Sequence, residues 1–156
     1  MLINSQAKQI VNQYIGYSDA VAGGAGDDTA VVNAAGIDTK NYSSALVVVN
    51  GTTTLGDADT LNLTVATTEC DTLGGTYTAK ETLSDDAVIA TGDTGGSTEA
   101  GSVGYVIDLD DYERYVKFSF TPDLSAANTD TADLSYSVIL CNATEQPVSV
   151  PNTTLA

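Results

Sequence analysis

Three stretches near the carboxy terminus alternate apolar and polar residues with a period of two, and that pattern restricts the fold more than any other feature. Val103, Tyr105, Ile107 and Leu109 share one parity, as do Val116, Phe118 and Phe120, and then Leu134, Tyr136, Val138 and Leu140. Side chains of a strand point alternately to its two faces, so each stretch offers one apolar face to a core and one polar face to water. The same signature appears earlier in "LNLTVA" (61–66), with Leu61, Leu63 and Val65 inward. "ALVVVN" (45–50) is apolar on both faces, which predicts a central strand, and "TAVVNA" (29–34) is a further β-branched run. "TYTAKETL" (76–83) and "AVIAT" (87–91) are weaker strand candidates, and "GDTGGSTEAGS" (92–102) reads as a mobile glycine-rich loop. About eight short strands with turn signals between them predict an all-β chain: an antiparallel β-sandwich, jelly-roll-like.

The amino terminus differs. In "SQAKQIVNQYI" (5–15), Ile3, Ala7, Ile10, Val11 and Tyr14 recur at spacings of three and four, which predicts a short helix or arm with one apolar stripe. "DAVAGGAGDD" (19–28) reads as a flexible joint, so the expected division is an arm and joint over 1–28 and a sandwich body over 29–156. The stripe, with Leu2 beside it, either folds back on its own body or docks on another chain. No basic, apolar and small-residue succession marks a signal peptide, and no run of about 18 apolar residues is present, so the expectation is a chain made in the cytoplasm and not inserted in a membrane.

Charge excludes further classes. With 21 acids against 5 bases the net charge is −16, which a phosphate backbone or an anionic membrane would repel; nucleic acid is not an expected partner. The chain has no histidine, so the usual Ser–His or Cys–His base and imidazole metal ligation are missing. Its glycine runs lack the strand, helix and lysine setting of a phosphate loop. No enzyme and no cofactor is expected. Cys70 and Cys141 match no C-x-x-C spacing; reduced thiols suit a reducing compartment, and a disulfide stays open.

The acids of "DLDDYE" (108–113) fall between two alternating strands, where a hairpin turn is expected, since aspartate bonds nearby backbone amides in turns. Asp108, Asp110, Asp111 and Glu113 are also hard oxygen donors, although the run lacks the glycine and spacing of an EF-hand. Asp57 with Asp59, and Asp85 with Asp86, read as similar short pairs in turns. Arg114, the only arginine, is expected to pair with a turn acid such as Asp111 or with an acid of another subunit.

"GYVIDLDDYERYVKFSFTP" followed by "ADLSYSVILCNATEQPV" resembles the ending of head-decoration, or cement, proteins of tailed bacteriophages. The resemblance rests on Gly104, Tyr105, Arg114, Tyr115, Val116, Thr121, Pro122, Pro147 and Val148, over roughly 45 residues near the carboxy terminus. Where the family often has a basic, glycine-containing stretch before the final Pro-Val, this chain has "CNATEQ". The resemblance implies a non-enzymatic virion protein that decorates and stabilises the outer surface of a capsid. Its implied partners are the major capsid protein and itself, as a homo-oligomer for which capsid symmetry favours a trimer. On that reading Leu2, Ile3, Ile10, Val11 and Tyr14 are the docking residues, and Arg114, Tyr115, Val116, Phe118, Phe120 and Pro147 are structural. A fimbrial or adhesin-like sandwich and a carbohydrate-binding module are the alternatives.

Overall fold

The computed structural model describes residues 12–22, 31–32, 36–125 and 130–143. Nine antiparallel strands are found among them: β1 (Asn12–Ala22), β2 (Val31–Val32), β3 (Ile37–Asp38), β4 (Tyr42–Leu55), β5 (Thr60–Cys70), β6 (Thr78–Thr91), β7 (Ser97–Asp108), β8 (Tyr115–Leu124) and β9 (Thr131–Ala143). Sheet A has the order β1-β9-β4-β7, and sheet B the order β2-β8-β5-β6, with β3 also pairing β8. Because β2 and β3 both pair with β8, they act as two pieces of one strand position. Two four-position sheets then face each other, and every connection except β2–β3 and β5–β6 passes from one sheet to the other. That is the expected jelly-roll sandwich.

The alternating residues meet between the layers. Val47 and Val49 of β4 and Val138 and Leu140 of β9 face Leu61, Leu63 and Val65 of β5 and Val116, Phe118 and Phe120 of β8, all at most 1% exposed. The Phe120 and Tyr136 rings stack across the layers with centroids 4.3 Å apart. β4 is central in sheet A, as its two-faced apolar run predicts. Where the edges of β6 and β7 come together, a Cβ on Gly101 would lie 2.4 Å from the Ile89 carbonyl oxygen, so only glycine fits there.

Several expectations change. Residues 12–15, the end of the expected helix, instead enter β1, which pairs with β9 from Asn12 opposite Leu140 to Ala22 opposite Thr131. Pairing with a long partner strand outweighs the weak local preference of a short helix. Residues 19–22 of the expected joint belong to the same strand. "TYTAKETL" and "AVIAT" merge into one bulged strand, β6; Asp85 and Asp86 sit inside it rather than in a turn, with Asp86 at a positive φ of 51° beside a register shift. The glycine-rich segment shrinks to a turn, since β7 already begins at Ser97 and Gly95 and Gly96 supply the positive φ values of 88° and 86°.

Candidate interaction surfaces

The acid run 108–113 is a crossover between layers, not a hairpin: it leaves sheet A at the end of β7 and enters sheet B at β8. Alternation shows which residues face the core but is silent on which sheet a strand joins. The turn chemistry is as expected. Asp108 Oδ1 accepts the Asp110 N–H at 3.0 Å, and Asp110 and Asp111 are exposed. Leu109 is buried, its N–H donating to Ser43 O at 2.9 Å. Beyond it, the Tyr112 hydroxyl donates to Glu81 Oε2 at 2.9 Å and lies 3.1 Å from Thr67 Oγ1. Glu69 Oε2 accepts the Glu113 N–H at 2.9 Å, while its other oxygen lies 3.4 Å from the Lys80 ammonium. Lys80 also donates to the Asp111 carbonyl and sits 5.1 Å from the centre of the Tyr112 ring. The crossover is thus fastened to β5 and β6 by side chains of both signs. Among the described residues no group of three or more carboxylates or thiols is placed to hold a metal ion.

Burial, with the Glu81 and Glu69 carboxylates adding to it, pushes the Tyr112 hydroxyl up to about 12. The unfolded chain, titrating near 10, sheds this proton first, so the stabilisation is complete below about pH 10 and is lost towards about pH 12. With solvent screening the effect is on the order of 1 kcal/mol. Tyr112→Phe is expected to flatten the alkaline fall in stability, measured as urea midpoints on either side of that window. An alkaline fall as steep as the parent's would contradict this role.

Arg114 pairs within the chain, but with Asp38 rather than Asp111. Its Nε and Nη2 donate to Asp38 Oδ1 and Oδ2 at 3.0 and 2.7 Å. The partner lies 76 positions away in sequence, and only the pairing of β3 with β8, Ile37 opposite Val116, brings it near. Thr39 strengthens the same junction by donating both its N–H and its hydroxyl to the Arg114 carbonyl at 2.9 Å. The guanidinium holds the Asp38 carboxyl below its usual range and lies 5.0 Å from the Tyr115 ring centre. Both partners are about half exposed, so this is a surface clamp on the start of β8.

Val116, Phe118 and Phe120 are core residues and Tyr115 is half-buried. Of the expected docking stripe, Tyr14 lies in β1 opposite Val138; Leu2, Ile3, Ile10 and Val11 lie outside the described residues, as does Pro147. Cys70 is buried in β5 and Cys141 half-buried in β9, and both are free thiols.

A surface that the sequence reading missed is the outer face of sheet A. Leu46 stands opposite Val106 on one side and Ile139 on the other, an apolar row across three strands. Val106 is 82% exposed. Further along the face, Asn50, Thr52, Ala100, Ser102, Asp133 and Ser135 line an open depression of about 450 Å³ over Gly51 and Gly101. No aromatic side chain lines it, so a sugar ring would find hydrogen bonds there but no stacking surface. The available signal was the second apolar face of "ALVVVN", where Leu46 and Val48 point away from the core.

No protein-family model and no curated protein matches the chain. Among solved structures, VP2 in the subviral particle of infectious bursal disease virus is similar, with a TM-score of 0.50 at 14% identity over 83% of this chain and 32% of that one. A structure of the Gx strain of the same virus gives a TM-score of 0.46 at 16% identity over 84% of this chain and 30% of that one. The chain therefore spans about a third of the length of these neighbours. At such identity the likeness is one of fold.

Proposed function

We propose that this chain is a non-enzymatic structural subunit of a virion, one that decorates and stabilises the outer surface of a tailed-phage capsid. The observation that carries the reading is the two-layer sandwich itself, similar in fold to a protein that forms a viral particle. The finer assignment is supported by the phage-like ending, with its Arg114-Tyr115-Val116 segment. The charge of −16 favours the outer surface over the side facing packaged DNA. In this reading residues 1–11, which carry Leu2, Ile3, Ile10 and Val11, form an arm that attaches the subunit to the major capsid protein. Burying several such side chains, at about 1.5–3 kcal/mol each, offsets the cost of ordering the arm.

The test adds purified full-length chain, and a variant lacking residues 1–11, to heads that lack decoration. Full-length protein is expected to bind and to raise the resistance of the heads to heat and osmotic shock, and the truncated variant to bind weakly. Heads that take up no full-length protein would overturn the virion reading. Equal binding by the two proteins would leave that reading intact and move the attachment site onto the sandwich.

A further inference from the structure

We propose that the outer face of sheet A is where one copy of this chain packs against a second copy. The proposal rests on the reading of a capsid-decorating virion subunit and names the surface that joins its copies. Three observations carry it.

The first is charge. Across the described outward positions of β4, β7 and β9, only Asp108 and Asp133 are charged. They stand at opposite ends, Asp108 opposite Ser44 and Asp133 opposite Thr52. Between those rows lies a stretch of about 27 Å at about 3.4 Å per residue, without a charge on the described strands. The other layer is different: Lys40, Lys80, Arg114 and Lys117 all lie in sheet B, its flanking turn or the crossover, among many carboxylates. Two bodies of charge −16 repel at every charged surface, and the repulsion is least where neither contributes charge. Depletion of charge is also what separates the core of an interface from ordinary surface.

The second is apolar exposure. The Leu46, Val106 and Ile139 row continues into Val48, and Val106 has the highest exposure of the large hydrophobic side chains described. The third is size. The three strands β4, β7 and β9, about 4.8 Å apart and about twelve residues long, make a plane of roughly 600 Å². That is what each partner contributes to an interface at the lower end of the specific range.

The test is sedimentation velocity and light scattering on the full-length chain over a range of concentrations and salt. Wild type is expected to self-associate, and more tightly as salt screens the residual repulsion. Val106→Glu places a carboxylate in the row and is expected to weaken association at least about tenfold. Val88→Glu, at a 58% exposed valine on β6 of the other sheet, is the matched control and should leave association unchanged. Ser102→Glu, an exposed polar position of the same face, repeats the test should Val106→Glu fail to fold.

A wild-type chain that stays monomeric at all concentrations overturns the proposal, as does association that survives both substitutions on sheet A. A monomer whose melting temperature falls with Val106→Glu would mean that the chain's own segments cover the face, which also overturns it. Self-association without binding to undecorated heads would sustain this inference while removing the virion role. Head binding by a strict monomer would do the reverse.

Discussion

Phe118→Ala is expected to cost about 3–5 kcal/mol of folding stability, the range for truncating a large aromatic in a packed core. Phe118 is 1% exposed and stands in β8, which has β5 on one side and β2 and β3 on the other. Its ring is held between layers whose other contributors, Val47, Val49, Leu63, Val65 and Val138, are equally buried, so the backbone around it cannot easily collapse into the space left behind. Because a domain of this kind has only about 5–15 kcal/mol in total, the variant should unfold at a markedly lower urea concentration with the same slope. Val88→Ala, at an exposed position, should stay within about 0.5 kcal/mol. A Phe118 variant that melts like the Val88 variant would mean that the two layers are not packed through β8.

This core was legible in the sequence because parity is a local property. Val116, Phe118 and Phe120 declare their common face without reference to anything else in the chain, and the same holds for Leu134, Tyr136, Val138 and Leu140. Apart from the local bulge at Asp85 and Asp86 and the early start of β7 at Ser97, the failures concern relations at long range. Asp38 became the partner of Arg114 through β3 pairing with β8, which no spacing near Arg114 announces. The run 108–113 was read correctly as aspartate turn chemistry and wrongly as a hairpin, since a turn and a crossover use the same residues and differ only in where the next strand lies. The outer face of sheet A was half legible: Leu46 and Val48 were seen as apolar on the second face of a central strand. Seeing them as part of one surface with Val106 and Ile139 requires the register of β4 with its two neighbours.

The amino terminus gives the other large expected effect, because two truncations ending about twelve residues apart should behave in opposite ways. Deleting residues 1–11 removes nothing that pairs in the described sheets, so the sandwich should keep its circular dichroism and its cooperative melt. Deleting residues 1–23 removes β1, whose register with β9 runs from Asn12 opposite Leu140 to Ala22 opposite Thr131. Each backbone hydrogen bond lost contributes about 0.5–1.5 kcal/mol net, so losing a strand of this length removes a large part of the about 5–15 kcal/mol available. The loss also turns β9, a strand of 13 residues, into an open edge beside the buried row of Leu134, Tyr136, Val138 and Leu140. An unprotected long edge of that kind is a template for pairing with other chains. The shorter truncation is therefore expected to remain soluble with an unchanged melting temperature, and the longer one to lose its cooperative transition and aggregate. Sedimentation and thermal melts on both variants decide it. If the longer truncation melts cooperatively at the temperature of the full chain, β1 contributes little and the sandwich closes at β9. If the shorter one already unfolds, residues 1–11 belong to the core of the body, and the arm on which the proposed attachment depends does not exist.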